Sequence, residues 1–483
     1  MGRGLRADRY TLPFLYSLGE GNAAMQQPRP SASPGWRWGP FTFRLPLLHS
    51  RVHWPEFVQG LLVATATGLA LVPVLNGYFG LSFEQAVACV MMYSMFLVIS
   101  LYVFGEPYAP GWTTAALPLA IAYVASGYPD PTSRFQAMSA LMLTYAGLVF
   151  VLGITGLGKV LMRWMPDTLK AGILLGAALS AFKQVFVDDA GRFLYAQPIT
   201  TTLACAVCLI CVFSQPLRRL IQRYPSLGVL AAMGLLPGFI VAGLVGPLVG
   251  EVTYEVQWGW LWPPVGEAVA RMSPFSIGWP SAQMFLAGIP LVLITYIIQF
   301  GDWVTGDEVL REAQPRRQDD PIHIDATRSH LSLAMRNFGA ALVAPFFTTQ
   351  GSLWTGVHVL VVNRWKQGPR AISDLHSGLM SYYLMGLPLI YFVLPLLTAL
   401  KPLLGIALSL TLMLTGFACA YVAMAIPRDN IARGAALLTG ASLALFPPWI
   451  GLLVGIAACV LLVGREEPFP GTEKPYPNRE KGA

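Results

Sequence analysis

Fourteen apolar runs, divided by short polar or basic segments, decide what this chain can become. They lie near 57–75, 84–104, 112–125, 135–155, 166–186, 198–214 and 226–246 and, after a long loop, near 282–303, 331–344, 346–363, 379–397, 402–424, 432–446 and 449–464. A helix crosses the hydrocarbon of a bilayer in about 20 apolar residues, so the pattern predicts an all-α polytopic membrane protein. Composition agrees. Of 483 residues 55% are hydrophobic and 12% charged, against the roughly 25% charged of an ordinary soluble domain. The net charge of +7 then reads as attraction to anionic inner-leaflet lipid, and nucleic acid is excluded as a partner.

The basic residues orient the runs. With both termini inside, all 32 Lys and Arg fall in cytoplasmic segments except Arg134, Lys183, Arg192, Arg271 and Lys401. That asymmetry predicts 14 spans in the cell inner (plasma) membrane. It divides the chain into a cytoplasmic segment 1–52, a first seven-span repeat 53–250, an outer loop 251–281, a second repeat 282–464 and a cytoplasmic tail 465–483. The first 50 residues lack a 7 to 15 residue apolar core, so no cleavable signal peptide is expected. The first span then serves as the targeting signal, and Met1 and Met25 both stand as starts. The tail is too short for a folded domain.

Polar residues interrupt the apolar pattern in two places. One span ends in Gln299-Phe-Gly-Asp302-Trp-Val-Thr305-Gly-Asp307, and Pro345-Phe-Phe-Thr-Thr-Gln-Gly351-Ser-Leu-Trp354-Thr355-Gly356 cannot be continuous helix. Acids and broken backbone are costly in lipid, so both stretches are expected to line a cavity. The third member of each set is short or interrupted, the pattern of an inverted-repeat transporter with its site at mid-membrane. All six cysteines lie in apolar runs. Cys205, Cys208 and Cys211 step by three, but no His or second Cys pair accompanies them, so they read as packing residues. No disulfide, metal site or cofactor is implied. Nor does any paired-carboxylate cluster or nucleophile elbow suggest an enzyme.

Three segments carry a family likeness. Trp54-Pro-Glu56-Phe-Val-Gln-Gly60, with Ala64 and Pro73, is similar to the first span of sulfate permeases. Met165-Pro166-Asp-Thr-Leu-Lys-Ala-Gly172-Ile-Leu-Leu-Gly176 is similar to a fifth span, and Thr348-Thr-Gln-Gly351 with Gly356-Val and Arg364 to the tenth-span pattern of xanthine/uracil permeases. The chain resembles the superfamily of xanthine/uracil permeases, sulfate permeases and bicarbonate exchangers. That resemblance implies a seven-plus-seven inverted repeat, a core (gate) domain of spans 1–4 and 8–11, and a scaffold of spans 5–7 and 12–14 through which relatives form homodimers. It also implies half-helices at spans 3 and 10 whose N-termini face one another across the site. Two departures stand out: Ser352 occupies the place of the permeases' glutamate, and Asp302 or Gln299 that of their eighth-span glutamate.

The substrate-binding residues expected on this basis are Trp112, Thr113, Thr114, Gln299, Gly351, Ser352, Trp354 and Thr355. The two turns offer backbone N–H groups and hydroxyls but no carboxylate, which favours a small anionic or weakly acidic solute. Asp302 or Gln299 could supply the acceptor that a nucleobase such as uracil or xanthine needs, so that substrate class stays open, as does an uncoupled anion uniporter or channel. Asp302 and Thr305 are the ion-coupling candidates, for H+ or for Na+. Asp302 also has a plainer reading as a cap at its helix end. Glu56 is expected on a solvated membrane edge, and His358 in a packed core.

Overall fold

In the structure, a computed structural model, residues 35–157, 165–188, 190–191, 194–224, 235–346, 349–427 and 429–464 are described. Met1, Met25, Thr348 and the tail 465–483 lie outside them. The described chain is mostly helical. Five helical stretches are long and apolar enough to cross a bilayer: Phe83–Tyr102, Pro131–Thr155, Asp167–Asp188, Ala282–Arg316 and Leu394–Ala425. A sixth forms if Pro198–Phe213 and Gln215–Ile221, bent by 51°, are one span.

The remaining apolar runs are helical in pieces. The first is α1 (Trp54–Gly68) and α2 (Val72–Phe79), joined by a 3-10 turn at Leu69–Leu71 just before Pro73. Proline removes an N–H and crowds the preceding turn, so a helix breaks or tightens there. The eleventh begins as a helix at Leu375–Met380, widens to a π-helix at Ser381–Gly386 and tightens to 3-10 at Leu387–Phe392, which contains Pro388.

Several helices start at a short polar cap. Helix α3 (Phe83–Tyr102) has a capping box of Ser82 and Gln85. Asp130 accepts the Ser133 N–H at the head of α5 (Pro131–Thr155), which follows the shorter α4 (Leu117–Gly127). Such caps satisfy N–H groups that the first turn leaves open.

With the short helices α8 (Gln215–Arg223), α10 (Val265–Met272), α11 (Pro274–Ile277), α15 (Leu375–Met380) and α16 (Leu394–Leu400) between them, the longer helices form two groups. In one, α5 packs on α12 (Ala282–Ala313) and α13 (Ala326–Val343), and α13 on α3. In the other, α6 (Asp167–Lys183) packs on α17 (Leu404–Ala425) and α18 (Asn430–Leu445), with α7 (Pro198–Phe213) on α9 (Leu236–Leu248). At Gly172 a Cβ would collide with Thr439, so α6 and α18 approach as closely as small residues allow. Each group draws its helices from both halves of the sequence.

Outside the apolar runs, a hairpin and the backbone contact of the loop 251–281 had no sequence signal. Strands β1 (Trp36–Trp38) and β2 (Phe41–Phe43) form an antiparallel hairpin. The hairpin extends the end of α3, because Thr42 N–H donates to Phe104 O at 3.3 Å and Arg44 N–H to Tyr102 O at 2.7 Å. Beyond it, burial lowers the Arg44 pKa to about 10, opposed by Asp374. On the loop 251–281, Leu261 N–H donates to Phe392 O at 3.0 Å, while Trp258, Trp260 and Trp262 stand exposed.

Candidate functional site

After α3 the chain reverses into β3 (Gly111–Trp112), which pairs antiparallel with β4 (Gln350–Gly351): Gly111 lies opposite Gly351, and Trp112 opposite Gln350. Each strand feeds a short helix. A 3-10 turn at Thr114–Ala116 leads into α4, and α14 (Thr355–Trp365) follows β4. The tenth apolar run therefore contributes helix only in its second half; the described residues before that helix are non-helical backbone whose polar groups need partners. They have them. Trp354 N–H donates to Ala109 O at 2.7 Å and Thr113 N–H to Thr349 O at 3.3 Å. Asn337 on α13 holds Gln350 from both sides, donating to its O at 3.0 Å and accepting its N–H at 2.9 Å. This is how non-helical backbone survives inside a bundle, where every polar group must be met by protein.

Thr349 sits at φ 53°. A β-branched residue in the left-handed region is an outlier, and strain of roughly 1–3 kcal/mol of this kind collects at functional sites. Here the strain has a visible result: the Thr349 hydroxyl donates to Thr113 Oγ1 at 2.9 Å.

Gln299 closes the cluster from α12. Its Oε1 accepts the Thr113 hydroxyl at 3.2 Å and the Ser352 N–H at 3.3 Å, and its Nε2 donates to Ser352 Oγ. Thr113, Gln299 and Ser352 are all buried. One amide thus bridges the two strand ends, and no carboxylate takes part. Of the sequence-predicted residues, Trp112, Thr113, Gln299, Gly351 and Ser352 come together here. Thr114 opens the 3-10 turn, Trp354 stands 6.2 Å edge-on to Tyr382, and Thr355 is exposed at the head of α14.

Asp302 lies one turn past Gln299 on α12. That helix runs on to Ala313, about three turns further, so Asp302 does not cap a helix end. It is half-buried, within electrostatic reach of Tyr145 and Cys419, and makes no hydrogen bond or ion pair among the described residues. The Thr305 hydroxyl donates to Gly301 O at 2.9 Å, one turn back on its own helix. Asp307, by contrast, accepts from the Tyr108 hydroxyl and lies 3.9 Å from Arg311. Among the described residues no three His, Cys, Asp or Glu gather to hold a metal ion.

Two expectations change and one holds. Glu56 is not on a solvated edge: it is fully buried and 3.1 Å from Arg364, tying α1 to α14. Arg328 and Arg336 are not loop cations. Both are buried on α13, Arg328 lying 3.5 Å from Glu106 and Arg336 donating to the Gly351 carbonyl. His358 is packed, and its Nδ1 accepts the Ala109 N–H at 3.3 Å.

Sequence reasoning missed two tyrosine hydroxyls. Trp112 Nε1, Tyr382 Oη and Tyr383 Oη are buried without a hydrogen-bond partner among the described residues. Leaving a buried donor unmet costs roughly 1–3 kcal/mol, so such groups commonly mark where a ligand or water binds. The available signal was weak: Ser381 precedes the two tyrosines within the eleventh apolar run, where tyrosine itself counts as apolar.

No family model and no curated protein matches the sequence, but solved structures do. SLC26A9 superposes over 85% of this chain with TM-score 0.52 and 13% identity. The chain spans 65% of that protein's length. Murine Solute Carrier 26 family member A9 (Slc26a9), described as an anion transporter in the inward-facing state, matches over 87% of this chain and 69% of its own, with TM-score 0.50 and 14% identity. The transmembrane domain of BicA, a cyanobacterium bicarbonate transporter, matches over 85% of this chain and 99% of its own, with TM-score 0.48 and 12% identity. What is shared with the SLC26A9 structures is the fold, a divergent match in the superfamily that the sequence resemblance named.

Proposed function

We propose that this chain is a secondary active transporter of a small anion, working by alternating access between a core built around α3, α5, α12, α13 and α14 and a scaffold built around α6, α7, α9, α17, α18 and α19 (Pro448–Ala458). It would cross the inner membrane 14 times with both termini cytoplasmic. One observation carries the anion reading. The Ser352 N–H and the Thr113 hydroxyl converge on a single oxygen, Gln299 Oε1, with no carboxylate among them. A solute oxyanion taking the place of that neutral oxygen would form charge-assisted bonds, roughly twice as strong. The description of Slc26a9 as an anion transporter supports the same reading. Asp302, one turn away and unpaired, is the group that would couple transport to H+, or to Na+ together with Thr305 and backbone carbonyls.

A second reading rests on the same Gln299 Oε1. If that oxygen stays in place and accepts from the solute, the site suits a nucleobase. Ser352→Glu separates the two. Two negative charges about 4 Å apart at an effective dielectric of about 20 repel by about 4 kcal/mol, so an anion should bind about 100-fold or more weakly. Thermal stabilisation by candidate ligands reads the result. Undiminished binding of a charged solute would remove the anion reading, and newly acquired uracil or xanthine binding would favour the nucleobase.

A further inference from the structure

We infer that Arg336 is the fixed countercharge of this site, a buried guanidinium that acts through the Gly351–Ser352 peptide and makes selection depend on the charge of the solute. The inference rests on the anion reading above and names a residue that reading does not contain. Arg336 is 2% exposed, and both its Nη groups donate to the Gly351 carbonyl, at 3.3 and 3.2 Å. Its Nε has no partner, and it has no ion-pair partner among the described residues. The carboxylate that faces it, Glu106, is already engaged: Arg328 lies 3.5 Å away and the Ser329 hydroxyl donates to it at 2.8 Å. The other titratable groups facing Arg336 are Tyr145 and Tyr93.

Peptide geometry gives the charge a direction. In a trans peptide the carbonyl and the next N–H point to opposite sides. Arg336 therefore stands behind β4, while the Ser352 N–H points from the same peptide toward Gln299 Oε1. A cation hydrogen-bonded to the carbonyl polarises the whole amide and strengthens the N–H as a donor. The guanidinium also adds a positive potential that water does not screen. An uncompensated buried charge is expensive, and within membrane spans such charges mark ion pathways. Here the compensating charge would be the transported anion, present only when the site is loaded.

An electrostatic role has a signature that a packing role lacks, because the interaction free energy grows in proportion to the ligand's charge. The test measures thermal stabilisation of purified wild type, Arg336→Gln and Arg336→Lys by bicarbonate and by sulfate. Arg336→Gln is expected to weaken bicarbonate by about tenfold and sulfate by about 100-fold. Arg336→Lys retains the charge and should keep the sulfate-to-bicarbonate affinity ratio within about threefold of wild type, which preserves the test if the Gln variant does not fold. Equal losses for the two anions in Arg336→Gln, or a ratio in Arg336→Lys that shifts as in Arg336→Gln, overturn the inference and leave the anion site standing. If neither anion stabilises wild type, the anion reading falls and takes the inference with it.

Discussion

Two helix carboxylates, Glu56 on α1 and Asp302 on α12, have opposite surroundings. Glu56 is fully buried with Arg364 at 3.1 Å, a pair that holds two helices together and whose Coulombic gain is offset by desolvation. Asp302 is half-buried with no such partner, which leaves its charge free to be balanced by a proton or a cation. Asp302→Asn keeps the shape but cannot titrate, so it should abolish concentrative uptake in proteoliposomes while counterflow persists. Uphill transport equal to wild type would return Asp302 to a solvated, structural role. Asp302, Gln299 and Ser352 were legible in the sequence because each is polar where its neighbours are not. Arg336 was not, since a basic residue a few positions past a basic loop reads as part of that loop until α13 is seen to carry it inward. Tyr382 and Tyr383 were hidden for a different reason: tyrosine counts as apolar until its hydroxyl is found unmet.

At the scale of elements, proline punctuation was readable and pairing was not. Pro73 and Pro388 lie at or beside the tightened 3-10 segments, as their missing N–H groups require. Strands of two residues have no periodicity to detect, so the β3–β4 ladder appeared in the sequence only as a stretch unfit for helix. The sequence did offer Gly60, and the structure gives it a specific task. Helix α1 crosses the π-helical segment Ser381–Gly386 so closely that a Cβ on Gly60 would overlap the Tyr382 carbonyl. That obstacle is backbone, which cannot rotate away. Gly60→Ala should therefore destabilise by about 1–3 kcal/mol, the usual cost of overpacking, and lower the midpoint of thermal unfolding in detergent. Because Tyr382 and Tyr383 ride on the displaced segment, the same change should weaken solute binding although Gly60 bonds to nothing in the site. An unchanged midpoint would mean that the crossing is looser than this geometry requires.

For the whole molecule, the grouping of helices is what the sequence could least show. The contacts α5 with α13 and α6 with α18 join runs from opposite halves of the chain, and no local pattern encodes such a pairing. Orientation is the reverse case, since it follows from charges that local sequence displays. The structure withdraws Arg328 and Arg336 from the inner-loop cations by burying them, and it buries Arg317 and Arg44 against protein as well. Most of the remaining inner cations are untouched by this correction, and the rule counts Lys and Arg flanking the spans rather than net charge. The proposed topology therefore keeps its support. A reporter fused after Gly464 should read cytoplasmic, and cysteines placed singly at Trp258 or Trp262, both highly exposed on the loop 251–281, should react with an impermeant maleimide from outside intact cells. Five of the six native cysteines are buried and Cys211 is half-buried, so background labelling should be low. With the N-terminus inside, an outward-facing C-terminus would require an odd number of crossings, which would overturn both the 14-span count and the inverted repeat as an account of the fold.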